Sequence, residues 1–164
     1  MTLAELAVDL EATLLEHTLL HYGERLVAIA IFGSAGRGTA RPDSDIDLLV
    51  VARGLPDGRV ARNQDFTGVE DALEPAFAVV RGKGCSWYLS VVFKTPEELA
   101  LGSPLLLDMT DDARVLYDPE GVLAGALDRL RERLAQLGAR RVWRGSAWYW
   151  DLKPDYVPGE VFEI

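Results

Sequence analysis

The sequence predicts an α/β (α+β) domain, with helices packed on a small sheet. Three observations predict it. Short apolar runs of strand-forming residues alternate along the chain with longer stretches whose apolar residues recur at helical spacing. Glycine- or proline-containing breaks separate most of these segments. And 164 residues, 49% apolar and 26% charged, suffice to bury a core without staples.

Residues 2 to 22 read as a helix, with Leu3, Leu6, Leu10 and Leu14 at helical spacing. Thr2 and Glu5 have the form of a capping box, and Gly23 is a natural stop. Leu26–Phe32 is short, apolar and accepted by strands, hence a buried strand. Gly33–Gly38 is a glycine-rich turn with a short helix opening at Ser34. Ile46–Val51 is the second buried strand. Arg53–Arg59 holds Pro and Asp-Gly and reads as a loop. A helix follows over about 60–80, weakened by Gly68 and Pro75, then a turn over Arg81–Gly84. Ser86–Lys94 is a third strand. Thr95 caps a short helix with Pro96 at its first position, and Ser103 caps another. Arg114–Tyr117 is a short strand. Leu123, Leu127, Leu130, Leu134 and Leu137 then form one stripe on a helix over about 119–137, closed by Gly138. The tail holds three of the four tryptophans, and its prolines and glycines argue against a helix. The expected organisation is one domain over 1–140 and an aromatic-rich tail, 141–164, packed on it.

Composition narrows the function. No apolar run is long enough to span a bilayer, and the acidic, helix-like start lacks the form of a signal peptide, so the expected location is the cytoplasm. The single cysteine, Cys85, forms no internal disulfide and reads as an inert thiol. A net charge of −9 argues against general nucleic-acid binding. Arg129, Arg131, Arg133, Arg140, Arg141 and Arg144 crowd one stretch. A solvated helix face is the first reading there, and a contact surface for an acidic partner or an RNA the second. The leucine stripe reads as core, with a dimer or partner seam behind it, and a homo-oligomer stays open. Trp148, Tyr149 and Trp150 read as packing before base stacking. His17 and His21, four apart, lack the glutamate of H-E-x-x-H and a third ligand.

The chemistry sits in "GSAGRGTARPDSDIDLLV", Gly33 to Val50. Side chains alternate along a strand, so Asp45 and Asp47 share a face while Ile46 enters the core. Their Cα atoms lie roughly 6.6 Å apart at strand rise. Two carboxylates so close repel, and a shared divalent cation relieves them. Oxygen ligands suit Mg²⁺, which completes its shell with phosphates and water. Gly33 lets the backbone turn and a bulky anion approach, and Ser34 offers a hydroxyl and an amide N–H as a phosphate seat. Gly36 and Gly38 keep the loop open, and Arg37 and Arg41 add positive charge. The pattern is neither a P-loop nor G-x-G-x-x-G. It describes a phosphoryl- or nucleotidyl-transfer site.

This stretch resembles the signature of the DNA polymerase β-like nucleotidyltransferase superfamily, most closely its minimal nucleotidyltransferases. Gly33, Ser34, Arg37, Gly38, Ser44, Asp45 and Asp47 match, within a core of about residues 25–100. The resemblance implies a small mixed sheet flanked by helices. It implies a nucleoside triphosphate such as ATP held at the Gly-Ser turn, with Gly33, Ser34, Arg37, Gly38 and Ser44 as nucleotide-binding residues. Asp45 and Asp47 become catalytic residues and ligands of Mg²⁺, with two ions in the full site. A nucleoside monophosphate passes to an acceptor hydroxyl with loss of pyrophosphate. Minimal members pair with helical HEPN-type proteins in toxin–antitoxin modules, so a partner-protein hydroxyl is the expected acceptor. A small-molecule acceptor such as an antibiotic would need a second domain to form its pocket.

One feature departs from the family pattern. The neighbouring strand should carry a third carboxylate, and Ser90 stands in that place. Asp65, Glu70, Asp71, Glu74, Glu97 or Asp108 would have to substitute. The rival reading follows: a catalytically weak protein that neutralises its partner by contact.

Overall fold

The structure, a computed structural model, describes residues 2–164; Met1 and the side chain of Leu3, the latter placed in the first leucine stripe above, lie outside the described residues. Helix α1 (Leu3–Tyr22) starts at a complete Thr2–Glu5 capping box and ends at Gly23. Strand β1 (Leu26–Phe32) is buried along its whole length. The four-residue helix α2 (Gly33–Gly36) follows directly, and β2 (Asp45–Ala52) returns antiparallel to β1. Helix α3 (Arg59–Gly82) leads to β3 (Tyr88–Lys94), parallel to β2. Two short helices, α4 (Pro96–Ala100) and α5 (Pro104–Asp112), precede β4 (Arg114–Tyr117), antiparallel to β1. The sheet order is β3-β2-β1-β4, a small mixed sheet. Helix α6 (Val122–Leu137) and a hairpin of β5 (Arg140–Arg144) and β6 (Ala147–Asp151) complete the chain.

The sheet separates two cores, as strand alternation requires. Ile29, Ile31, Ile46, Leu48 and Val50 face α1 and α3. Ala28, Ala30, Phe32, Leu49 and Val51 face α4, α5 and α6. Leu123, Leu127 and Leu134 are buried, so the leucine stripe of α6 is core. Among the described residues no helix is long and apolar enough to cross a membrane.

One expected helix holds in spite of its breakers and two segments go beyond the expectation, each for a physical reason. Helix α3 runs unbroken through Gly68 and Pro75. Phe66, Val69, Leu73, Phe77 and Val80 bury one continuous stripe, which outweighs the roughly 3 kcal/mol an interior proline costs. Helix α6 starts at Val122 rather than near Pro119, because the Asp118 carboxylate accepts from the N–H groups of Val122 and Ala124. The tail, read only as non-helical, forms a hairpin whose turn contains Gly145 at φ +64°.

Candidate active site

Asp45 opens β2, and Asp47 follows on the same face of the strand. Ile46 between them is buried in the α1–α3 core, as alternation requires. Cross-strand register places Phe32 opposite Asp47, so the chain leaves β1 beside this carboxylate. On β3, Tyr88 lies opposite Asp45 and Ser90 opposite Asp47. All four side chains emerge on one face, at the end of the sheet where α2 begins.

Burial raises the Asp47 pKa first, and the charge of Asp45 raises it further; a hydrogen bond from Ser90 and the charge of Arg37 oppose this. Repulsion inside the pair is therefore felt in the fold. The Tyr88 hydroxyl faces Asp45, and hydrogen bonding to that carboxylate raises its pKa.

Gly33 turns the chain at φ +63°, and a Cβ built there would lie 2.2 Å from Asp47 Oδ2. Only glycine lets the turn sit this close to the carboxylate. Beyond it, the Thr39 N–H and hydroxyl both donate to the Ser34 carbonyl, at 2.8 and 3.3 Å. Ser44 Oγ accepts from the Arg41 N–H at 2.8 Å, so its hydroxyl shapes the return of the loop. That return is anchored from β3's side: Trp87 Nε1 donates to the Arg41 carbonyl and the Ser86 N–H to that of Pro42. Gly38 is exposed at φ +73°. Gly36 does more than keep the loop open. A Cβ there would strike the Asp112 carbonyl at 2.2 Å and the Ile31 carbonyl at 2.9 Å.

Arg37 is engaged inside the fold. Its guanidinium donates to Asp112 Oδ2 at 2.6 Å, and Arg141 from β5 donates to Asp112 Oδ1 at 3.0 Å. Asp112 is 2% exposed. The Trp148 ring centre lies 4.8 Å from the Arg37 guanidinium and 4.9 Å from that of Arg141. Trp148 and Trp150 both donate their indole N–H to Asp108 Oδ1 at 2.9 Å. Sequence reasoning missed this network, because its members are scattered over the loop after α2, α5 and the hairpin. Tyr88 was also missed, though a signal existed: it stands two residues before Ser90 on one strand, hence on the same face.

The candidate replacement acids lie elsewhere. Asp65, on α3, lies with its Oδ2 3.5 Å from Nε2 of His21 on α1. Glu74 pairs with Arg81, and Asp108 is taken by the two indoles and Arg141. Glu97 and Asp71 are exposed. Glu70, its pKa raised mainly by desolvation, lines a groove of about 470 Å³ between α3 and β3, together with Arg59, Gln64, Tyr88 and Ser90. Among the described residues no group of three or more His, Cys, Asp or Glu is placed to hold a metal ion. Two carboxylates with open positions do fit a cation that completes its shell with phosphate and water. The larger cavity, about 550 Å³, is apolar and lies against α1, on the sheet face opposite the carboxylates.

The arginine-rich stretch is mostly exposed, as a solvated face would be: Arg129, Arg131, Arg140 and Arg144 are exposed, Arg133 is half-buried, and the Arg141 side chain alone is buried. Arg131 donates to the Thr110 carbonyl and Arg133 to that of Glu163. Arg140 pairs with Asp151, Arg141 with Asp112, and Arg144 lies over the Tyr149 ring.

Comparison with known proteins gives the family. The family model described as a nucleotidyltransferase domain matches residues 16–99. A "Putative protein adenylyltransferase" of Methanocaldococcus jannaschii is 30% identical over 112 residues, 67% of this chain and 71% of that protein. The structure of a spectinomycin adenyltransferase from Enterococcus faecialis, with ATP and spectinomycin, superposes with a TM-score of 0.50 at 12% identity. The match covers 77% of this chain and 66% of that one and concerns the fold alone. A toxin–antitoxin structure with AMP-PNP gives a TM-score of 0.49 at 20% identity, covering 78% of this chain and 92% of that one.

Proposed function

The chain belongs to the nucleotidyltransferase domain family, and from this premise we propose that it transfers AMP from ATP to a protein hydroxyl, with Mg²⁺ at Asp45 and Asp47. The observation that carries the reading is the pair itself. Asp45 and Asp47 share one face beside Gly33, with the Asp47 carboxyl pushed above its ordinary range by burial and by its neighbour's charge. A fold without use for a cation gains nothing from that arrangement. Protein as the acceptor class is supported by the name of the archaeal relative. A HEPN-type partner in a toxin–antitoxin module rests on the resemblance of the loop signature, and a cytoplasmic setting on the composition of the chain.

In this reading the turn at Gly33 and Ser34 receives the triphosphate, with Gly38 leaving its flank open. Arg37, anchored at Asp112, adds positive charge at the edge of the loop. Ser44 acts through the backbone, holding the return that delivers Asp45. Bound Mg²⁺ would neutralise the two carboxylates, draw the phosphates to them and stabilise the charge on departing pyrophosphate. Two carboxylates serve one ion. The second ion expected from the family would need ligands from ATP, water or a partner, since Ser90 supplies no carboxylate.

Calorimetric titration with a non-hydrolysable ATP analogue tests the assignment. Binding is expected with Mg²⁺ and not without it, and Asp45→Asn with Asp47→Asn abolishes it while the fold persists. Equal affinity in the double variant would refute the site. The second reading, a weak enzyme that neutralises its partner by contact, is favoured by one observation: Ser90 stands where proton removal from the acceptor needs a carboxylate. Proton transfer of that kind contributes about 10²–10⁴-fold in rate. Under that reading the analogue binds, but no AMP reaches any protein.

A further inference from the structure

The site described above leaves its acceptor hydroxyl unplaced, and β3 carries a candidate within it. We propose that the chain adenylylates itself on Tyr88, whose Oη is an acceptor for AMP. This rests on the reading of Asp45 and Asp47 as the donor site.

Register fixes the placement. Tyr88 is the direct cross-strand partner of Asp45 in the parallel β2–β3 pair, as Ser90 is of Asp47. Neighbouring strands lie about 4.8 Å apart, and paired residues share a face. The phenol therefore emerges on the face of the two carboxylates, beside Asp45. The ring is 55% exposed, open to an incoming nucleotide and not locked by packing. Among the described residues no strand flanks the outer edge of β3. The other tyrosines lie elsewhere. Tyr22 and Tyr117 pack into the core against α1 and α3, and Tyr149 and Tyr156 belong to the C-terminal segment.

The chemistry suits this position. With Ser90 in place of a carboxylate, the site has little with which to take a proton from an aliphatic alcohol. The Tyr88 hydroxyl instead already faces a proton acceptor, the Asp45 carboxylate of the paired strand. In the step, Tyr88 Oη attacks the α-phosphorus of ATP. The new O–P bond forms as the bond from that phosphorus to the α,β-bridging oxygen breaks. Pyrophosphate leaves, and the phenolic proton passes through the Asp45 carboxylate to water. The products are Tyr88-O-AMP, pyrophosphate and a proton, with ATP the only co-reactant.

The test incubates the full chain with ATP and Mg²⁺ and follows intact mass, peptide mapping and dependence on protein concentration. The expected result is one AMP per chain, mapped to Tyr88, formed at a first-order rate independent of protein concentration. Incorporation falls to background in Tyr88→Phe and in the Asp45→Asn, Asp47→Asn double variant. The peptide map reads the unsubstituted chain and stands whatever the variants do. AMP mapped to Ser90 or any other residue overturns the proposal. A rate that rises with protein concentration moves the reaction between copies and overturns the placement within one chain. Absence of label while the analogue still binds with Mg²⁺ overturns self-adenylylation and leaves the donor site standing. Absence of both label and binding overturns the donor site as well.

Discussion

Gly33 and Gly36 stand three residues apart in one turn, and the structure gives them different tasks. At Gly33 an added Cβ meets the tip of the Asp47 side chain; at Gly36 it meets two backbone carbonyls. A carboxylate can swing aside, whereas a sheet strand and the end of a helix cannot. Gly33→Ala is therefore expected to act at the site: it displaces Asp47 and weakens Mg²⁺-dependent binding of the ATP analogue. It also carries the strain of a left-handed residue, about 1–2 kcal/mol. Gly36→Ala is expected to act on the fold, as overpacking that costs about 1–3 kcal/mol in urea unfolding. Calorimetry and denaturation on both variants separate the two roles. The sequence showed glycines in a turn next to two acids and so identified Gly33's neighbourhood. It held no sign that Gly36 faces Asp112, which is 76 residues further on and meets α2 only in three dimensions.

At the scale of elements, Arg62 joins three of them. From α3 its guanidinium donates to both carboxylate oxygens of Glu98 on α4 at 2.8 Å, to the Pro56 carbonyl at 2.8 Å and to that of Phe93 at the end of β3. Glu98 also closes the capping box of α4, accepting from the Thr95 N–H at 2.9 Å. The Arg62 hydrogen bonds hold the Glu98 carboxyl down to about 2, against an ordinary 4.5. A depressed carboxyl stabilises the fold fully above its unfolded pKa and loses that contribution as pH falls through the folded one. Thermal melts of Glu98→Gln should therefore lie below those of the parent by a constant margin from pH 5 to 8. The margin should shrink from about pH 4.5 and nearly close at pH 2. Glutamine keeps an acceptor for the cap, so the difference reports the charge. A margin independent of pH would show that Arg62 holds Glu98 by shape alone. The elements themselves were legible from period and punctuation, down to the Thr95–Pro96 start. The Arg62–Glu98 tie was not, since 36 residues separate two side chains that local pattern cannot relate.

Across the whole molecule, the aromatic tail and the phosphate-type loop meet at one buried carboxylate. Asp112 accepts from Arg37, which follows α2, and from Arg141, which lies on the C-terminal hairpin. The Trp148 ring lies within 5 Å of both guanidiniums, and its indole is tied with that of Trp150 to Asp108. The sequence suggested packing for one face of this aromatic cluster, and strand alternation bears that out: Trp148 and Trp150 are half-buried and Tyr149 is exposed. What it packs against was beyond the sequence, because a lone "DD" at a helix end resembles any solvated terminus. The energetic consequence follows from burial. Arg141 is 8% exposed and Asp112 2%, so removing the arginine leaves a buried carboxylate with one partner in place of two. Breaking a buried ion pair typically costs 3–5 kcal/mol, and Arg37 retains part of the compensation here. Arg141→Ala should therefore cost about 3 kcal/mol in urea unfolding. Trp148→Ala combined with it should add less than its own separate cost, since both act on the same pair of guanidiniums. The loss should appear in one transition shared by near-ultraviolet and far-ultraviolet probes, because hairpin, α5 and loop share one set of charges. A separate early transition of the tail, with the rest unmoved, would mean that the hairpin folds on its own and that Arg37 owes its position to Asp112 alone.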